Sequence, residues 1–338
     1  MILTYKVKHN RDFHRELLIA KKIAEYALEN KDKLSTKYVS HLGLKAILSN
    51  QILRKYGRNK KAKTAKSIKL TIPNTGIRYI NSIILISSLK LNVPFTNVSF
   101  RKINQVELDE LYAYISVTVD EKPKYLSSKS IGVDLNTTGH CAVVAIKETG
   151  KVYKLGKSAE YIHTKYKNIR RKLQKKGLYT VVKKIKDREN RICRDLNHKI
   201  SRFIVNLAVK EKGSLKLEKL KGISKTKSVK SFKYALNSWS FYQLQRFIEY
   251  KSLLAGVLVT YIEPSYTSKC CSKCGQVGTR NDKMFKCPCG HVEHADVNAA
   301  FNIAFTLPSI VQLQKERVFC KGSTDTPKEA PQFSPATL

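Results

Sequence analysis

The sequence predicts a multidomain protein of mixed α and β structure: an N-terminal β-barrel interrupted by helices, then a C-terminal α/β domain containing a small metal-binding ribbon. Three observations support this prediction. Strand-like and helix-like periodicities alternate in long blocks along 338 residues, which is enough chain for two or three hydrophobic cores. Two strand-like runs end in a carboxylate, and four cysteines form two close pairs between residues 270 and 290.

The excess of positive charge indicates which class of molecule the protein binds. The chain carries 64 Lys and Arg against 26 Asp and Glu, a formal net charge of +38. An excess of this size indicates a polyanionic partner, and nucleic acid fits better than a membrane surface. No apolar run approaches the roughly 20 residues needed to span a bilayer. The start, MILTYKVKHN, is polar by its fifth residue, so we expect no signal peptide.

The N-terminal third predicts the interrupted barrel. Residues 1–9 alternate like a strand, and residues 10–66 have helical periodicity. Residues 67–125 return to short strands punctuated by proline and glycine, namely IKLTI, SIILISSLKL and, after a loop, LYAYISVTV. A second helix is expected to open at Ser35-Thr36 and to run as far as Arg58. It ends in a basic loop, where phosphate contact is a better interpretation than a solvated helix end. The candidate contacts there are Arg54, Lys55, Arg58, Lys60 and Lys61.

The second domain is predicted over residues 126–269 and 292–306. IGVDLN, CAVVAI and KVYKL read as three successive strands, and SLKLE reads as a fourth. Three such strands with an acid on the first suggest a ribonuclease H-like sheet. The helix around residues 238–256 is rich in aromatic side chains, for which core packing is favoured over base stacking. Residues 307–338 are rich in Pro, Ser and Thr and are expected to form a disordered tail.

Residues 158–212 predict two long basic helices, separated at Gly177. The apolar positions recur at helical spacing and should face a core; they are Ile192, Leu196, Ile200, Ile204 and Leu207. The opposite side carries more cations than solubility requires, which suits a nucleic-acid duplex lying along the helix. The candidate contacts are Arg170, Arg171, Lys172, Lys183, Lys184, Arg188 and Arg191.

Residues 270–291 predict a zinc ribbon. Two cysteine knuckles offer four thiolates, and the metal would supply folding energy that so small a ribbon cannot obtain from a core. The expected ligands are Cys271, Cys274, Cys287 and Cys289. The second pair is Cys-Pro-Cys, so Cys270 or His291 could replace one of them. Four thiolates leave no open coordination position, which indicates a structural metal. Eight cysteines, four of them at metal-ligand spacing, fit a reducing cytoplasm better than a disulfide framework.

Three carboxylates are candidates for a catalytic site: Asp134 on the first strand, Glu218 on the fourth, and Asp296 at the start of the last helix. In a ribonuclease H-like sheet the first and fourth strands are neighbours, and the last helix can bring the third acid beside them. Such acids raise each other's pKa values or bind divalent cations. Two magnesium ions about 3.5–4 Å apart, for which manganese can substitute, would give a phosphodiesterase.

These residues carry a family resemblance. IGVDLN, LEKLKGI and HADVNAAFNI resemble the three RuvC motifs of TnpB, the OrfB-type protein of insertion sequences. The CSKCG…FKCPCG ribbon lies between the second and third motifs, as it does in that family, and INQVELDELYAYISV is similar as well. The resemblance covers about residues 1–305. The sequence departs from the family in its Cys-x-Cys pair, in Asn136 where many relatives have glycine, and in its short length.

The resemblance implies an RNA-guided DNA endonuclease related to type V CRISPR effectors. It implies a wedge barrel (1–9 and 67–125), a helical recognition insertion (10–66), a RuvC nuclease domain and a zinc ribbon. The implied partners are a guide RNA from the transposon end and duplex target DNA, which is cut beside a short transposon-adjacent motif. We expect a prokaryotic, nucleoid-associated protein. A monomer bound to RNA is the assembly that we expect.

There are two alternatives to a nuclease. A nuclease-inactive relative could use RNA to occupy DNA and repress transcription, but a repressor does not need three mutually repelling acids. A transposase that joins strands directly ranks last, because no second catalytic domain and no tyrosine nucleophile with paired histidines is apparent.

Overall fold

The computed structural model describes residues 1–59, 63–65, 67–96, 98–125, 127–136, 139–219, 241–263 and 267–306. The chain divides into two compact units, the first formed by Met1–Asp120 and the second beginning at Glu121. Both contain helices and strands, so the predicted mixed α and β architecture is confirmed at this level. The expectations for Lys60, Lys61, Trp239 and the tail 307–338 lie outside the described residues.

Two α-helices and seven strands lie in the described residues of the first unit. They are β1 (Ile2–Lys8), α1 (His14–Glu29), α2 (Ala46–Gly57), β2 (Leu70–Pro73), β3 (Arg78–Ile80), β4 (Ile83–Ile86), β5 (Leu91–Pro94), β6 (Lys102–Leu108) and β7 (Tyr112–Thr118).

The strands of this unit form two antiparallel sheets, ordered β1-β7-β6-β2 and β3-β4-β5. β1 alternates between exposed and half-buried side chains, as its sequence predicts. The sequence missed β6, because its polar residues Asn104, Gln105 and Glu107 weaken the alternation. The pairing gives two separate sheets among the described residues, and closure into a barrel stays a prediction.

The second predicted helix of this unit is interrupted. Thr36–Leu42 forms a 3₁₀ helix that begins at Ser35, whose hydroxyl accepts a hydrogen bond from the backbone N–H of Lys37. Gly43 ends it with a φ of +80°, and α2 begins three residues later. The left-handed backbone at this glycine is the reason that one predicted helix becomes two segments.

The second unit contains eight strands and four helices in its described residues. They are β8 (Ser130–Leu135), β9 (Ala142–Ile146), β10 (Val152–Leu155), α3 (Ser158–Lys175), α4 (Tyr179–Glu211), β11 (Ser214–Glu218), α5 (Phe241–Ala255), β12 (Val259–Ile262), β13 (Thr279–Asn281), β14 (Met284–Lys286), β15 (Val292–His294) and α6 (Ala295–Phe305).

The main sheet of this unit has the order β10-β9-β8-β11-β12. The first three strands are antiparallel, whereas β11 is parallel to both β8 and β12. The prediction that the first and fourth strands are neighbours is therefore confirmed. Parallel neighbours end at the same edge of a sheet, so their C-terminal residues are brought close together.

Helices cover both faces of this sheet. One face packs against α4 and α5 through a core that includes Ile204, Leu244 and Ile248, and the other packs against α6. Gly132 lets α6 approach closely, because a Cβ built there would lie 2.1 Å from the backbone oxygen of Ala300. The helix that carries Asp296 therefore lies directly on the strand that carries Asp134.

The two long basic helices are separated as predicted, with Gly177 at a φ of +70° between α3 and α4. Ile200, Ile204 and Leu207 are buried, but Ile192 is 37% exposed and Cys193 is buried instead. The expected core position at Ile192 is therefore wrong by one residue. No helix within the described ranges is long and apolar enough to cross a membrane.

Candidate active site and metal centre

Asp134 lies at the C-terminal end of β8 and is 8% exposed. Burial raises the pKa of its carboxyl to about 7, and the charges of Glu218 and Asp296 add to this rise. A hydrogen bond of 2.9 Å from Asn136 Nδ2 to Asp134 Oδ2 and the charge of Arg280 act in the opposite direction. Both other predicted acids thus act electrostatically on this carboxyl.

Glu218 is the last residue of β11. It follows Leu217, which pairs with Val133, the residue before Asp134, so the parallel register sets the two acids side by side. Burial also raises the pKa of Glu218, while a hydrogen bond donated by the Thr267 hydroxyl to its Oε1 lowers it. Adjacent strand ends therefore supply two of the three acids.

Asp296 is the second residue of α6 and is 1% exposed. Both of its carboxylate oxygens contact cations: Lys283 Nζ lies 2.8 Å from Oδ2, and Arg280 Nη2 lies 3.4 Å from Oδ1. His294 caps the helix, because its Nδ1 accepts a hydrogen bond of 3.3 Å from the backbone N–H of Asp296. The third acid is thus an ion-paired, buried carboxylate at a helix N-terminus, where negative charge is favoured.

The three acids belong to one neighbourhood, although their oxygens do not all lie within 4.8 Å of one another. The sequence did not identify Thr267, Arg280 or Lys283, which contact these acids. No spacing rule connects them to the acids. Arg280 and Lys283 reach Asp296 only because the β13–β14 hairpin folds back onto the start of α6. Among these contacting residues, Asn136 is the one that the sequence analysis named, because it departs from the family pattern.

The predicted zinc ligands come together. Within the described part of the chain, one group of histidine, cysteine or acidic side chains has its ligand atoms all within 4.8 Å of one another, and its members are Cys271, Cys274, Cys287 and Cys289. The sulfurs of Cys271 and Cys289 are 3.8 Å apart, and those of Cys274 and Cys287 are 3.5 Å apart. Tetrahedral zinc with bonds of about 2.3 Å requires sulfurs about 3.8 Å apart. The four thiols therefore fit a structural zinc ion.

The two alternative ligands lie outside this group. Cys270 contributes its backbone oxygen, which accepts hydrogen bonds of 2.7 Å from both Asn298 and Asn302 on α6. His291 acts through its backbone, whose hydrogen bond lowers the pKa of the Cys289 thiol to about 7. The Cys-Pro-Cys pair therefore supplies both of its own sulfurs to the cluster.

Hydrogen bonds join the ribbon to several positions along α6. Asn298 Oδ1 accepts a hydrogen bond of 2.8 Å from the backbone N–H of Ser272, in addition to its bond to Cys270. The backbone N–H of Ala295 donates to Lys283 O at 2.8 Å, and Ala295 belongs to a small buried cluster with Phe285, Cys271 and Cys287. The ribbon thus holds the helix that carries Asp296 at several points.

The candidate nucleic-acid contacts fall into two groups. Most are exposed cations on α2, α3 and α4 or, for Arg58, directly after α2: Arg54, Lys55, Arg58, Arg171, Lys172, Lys183, Lys184, Arg188 and Arg191. Lys55 also forms an ion pair of 2.8 Å with Glu107. Arg170 differs, since its guanidinium pairs with the buried Glu189 between α3 and α4. We therefore remove Arg170 from the set of expected phosphate contacts.

Comparisons with known proteins fit this arrangement. The model of the family described as Cas12f1-like, TNB domain matches residues 241–303, which include the ribbon and the start of α6. A TnpB-like protein of Methanocaldococcus jannaschii is 39% identical over 158 residues, covering 45% of this chain and 57% of the relative. A CRISPR-associated endodeoxyribonuclease Cas12f1 of Sulfoacidibacillus thermotolerans is 30% identical over 61% of this chain and 52% of its own.

The chain thus spans a little over half the length of these two relatives. A TnpB-like protein of Aquifex aeolicus is matched more completely. It is 30% identical over 230 residues, which make up 57% of this chain and 73% of the relative. On this similarity, the chain belongs to the TnpB-like family.

Proposed function

We propose that the protein is an RNA-guided, magnesium-dependent DNA endonuclease of an insertion sequence, which cuts duplex DNA beside a short transposon-adjacent motif. The observation that carries the proposal is the placement of Glu218 beside Asp134 by the β8–β11 register, with the charge of Asp296 also raising the pKa of Asp134. A buried carboxyl whose pKa is raised by two neighbouring carboxylates is typical of sites that hold divalent cations.

The proposed architecture follows the two units. The first would supply a wedge barrel (1–9 and 67–125) and a helical recognition insertion (10–66). The second would supply a RuvC-like nuclease domain (126–269 and 292–306) with the zinc ribbon (270–291). The strand order β10-β9-β8-β11-β12, with α6 on one face, supports the nuclease assignment.

The donor set fits magnesium. All three predicted ligands are carboxylates, the hard oxygen donors that this ion prefers. Bound there, magnesium would activate the attacking water and stabilise the leaving oxygen of a phosphodiester. Asn136 orients Asp134, and the Thr267 hydroxyl orients Glu218. Arg280 and Lys283 hold Asp296 and add positive charge beside a site that must accept a polyanion.

Two further observations support nucleic-acid partners. Relatives of this chain are CRISPR-associated endodeoxyribonucleases, and the chain carries a net charge of +38. We propose that exposed cations on α2, α3 and α4 hold the guide RNA and the heteroduplex by phosphate contacts, while base pairing reads the sequence.

The test uses the protein purified with its co-expressed RNA. Asp134→Asn, Glu218→Gln and Asp296→Asn should each lower the rate of DNA cleavage by at least about 100-fold, because each removes a carboxylate ligand from the proposed magnesium site and even a misplaced catalytic group costs that much. RNA-dependent DNA binding should persist, since affinity resides in the basic surface. Glu25→Gln, a change of the same kind on the exposed face of α1, is the matched control.

The binding-only alternative gives the opposite result. A repressor would bind DNA through RNA without magnesium-dependent cleavage, and the three acid variants would then match the wild type. Cleavage by Asp134→Asn near the wild-type rate would likewise contradict the catalytic assignment.

A further inference from the structure

The interface of α4 and α5 contains a group of buried polar side chains, away from the three acids. Four polar side chains there are at most 2% exposed: Asn197, Ser201, Lys251 and Ser252. Lys251 Nζ donates to the Ser201 hydroxyl at 2.6 Å and to the backbone oxygen of His198 at 2.7 Å. Burying an ammonium group is unfavourable unless it is hydrogen-bonded, so its position here is closely specified.

Lys251 also lines an open cavity of about 560 Å³ between these helices. Arg202 and Lys199 on α4 supply further cations, and Phe203 and Tyr250 supply aromatic rings. No carboxylate lines the cavity within the described residues.

The net charge of the cavity is positive. Lys199 is partly neutralised by Asp195, whose Oδ2 lies 2.8 Å away. Burial lowers the pKa of His198, which favours its neutral form at pH 7. Burial also lowers the pKa of Lys251 to about 8, so this lysine is still largely protonated at pH 7. Arg202 and Lys251 are therefore its principal charges.

The rings lie beside these charges. The Nζ of Lys251 is 5.8 Å from the centroid of the Tyr250 ring, and Phe203 is 41% exposed. Cations for a phosphate with rings for a base are the combination by which proteins bind single-stranded nucleic acid.

We propose that this cavity binds one nucleotide of a single-stranded segment, with its phosphate against the exposed Arg202, the buried charge of Lys251 behind it, and its base against Tyr250 or Phe203. This inference rests on the proposed function, under which the protein binds nucleic acid. It adds a binding site away from the three acids.

The experiment cross-links the full-length protein to a short single-stranded oligouridylate containing 4-thiouridine, followed by peptide mass spectrometry. Cross-links are expected on peptides containing Phe203 or Tyr250. Arg202→Gln should weaken oligouridylate binding about tenfold and lower its salt dependence by roughly one phosphate contact. Because Arg202 is exposed, its loss should leave thermal unfolding unchanged. Lys210→Gln removes an exposed charge from the same helix outside the cavity and serves as control.

The outcomes separate this site from the proposed function. Binding by the wild type with no cross-link in the cavity, or with equal effects of Arg202→Gln and Lys210→Gln, would overturn the site alone. If the wild type bound no nucleic acid at all, both the site and the proposed function would fail. Uridine monophosphate that competes as well as the oligonucleotide would indicate a free nucleotide as ligand and would also overturn a strand-binding site.

Discussion

The Nζ of Lys216 lies 2.8 Å from the backbone oxygen of Ala304, so the strand that carries Glu218 holds the far end of the helix that carries Asp296. A second bond of 2.9 Å joins the same ammonium to the backbone oxygen of Thr306. Lys216 is only 6% exposed. A cation at a helix C-terminus satisfies carbonyls that have no intrahelical partner and interacts favourably with the helix dipole.

Replacing Lys216 with methionine should loosen this attachment. The buried carbonyl of Ala304 and the partly buried carbonyl of Thr306 lose their donor, so the free energy of unfolding should fall by about 1–3 kcal/mol, measured by urea denaturation. Cleavage should fall as well, because α6 also positions Asp296. Lys219→Met is the control: its ion pair with Glu263 is largely exposed and should contribute less than about 1 kcal/mol. Equal stability of both variants would show that Lys216 does not hold the helix.

Stability should depend on pH through Asp134. Its pKa is about 7 in the folded protein against an ordinary value of 3.8, so between these values the folded state binds a proton that the unfolded chain has lost. Without magnesium, stability should therefore fall as pH rises from about 4 to 7, by at most about 4 kcal/mol. Asp134→Asn should remove much of this slope and should be more stable than the wild type at pH 8. A wild-type slope retained in Asp134→Asn would assign the titration to another group.

Loss of the zinc ion should affect cleavage indirectly. Cys274→Ser should bind no zinc by elemental analysis and should lose most cleavage, because the ribbon holds α6 through Asn298, Asn302 and Lys283. The first unit should stay folded. Cys270→Ser is a closely matched control, since its sulfur lies outside the cluster and its backbone oxygen is unchanged. A zinc-free Cys274→Ser protein that cuts normally would show that the sheet alone positions Asp296.

The basic helices should act through exposed cations only. Neutralising Arg171, Lys172, Lys183 and Lys184 together should weaken RNA binding about equally for different guides and reduce its salt dependence, measured by filter binding at several salt concentrations. Arg170→Gln should instead lower the free energy of unfolding by on the order of 2 kcal/mol, because it leaves the buried Glu189 without its guanidinium partner. An effect confined to one guide sequence would contradict backbone recognition.

Much of the fold and of the site follows from local sequence. Strand alternation, helical periodicity and glycine breaks depend on which neighbouring residues are buried, so they predict β1, β8, β9, β11 and the division at Gly177. The two cysteine pairs predict their own cluster, because knuckle spacing is a local property. Local patterns fail where polar residues interrupt a strand, as in β6, and at the left-handed Gly43.

The amino-acid sequence specifies the chemical groups: three carboxylates, four thiols and a large excess of cations. Which of these charges meet depends on the packing of the folded chain. Parallel pairing of β8 with β11 brings Glu218 to Asp134, the folded hairpin brings Arg280 and Lys283 to Asp296, and helix packing turns Arg170 inward to Glu189. These contacts join residues far apart along the chain. They depend on register and packing over whole elements, which no local spacing encodes.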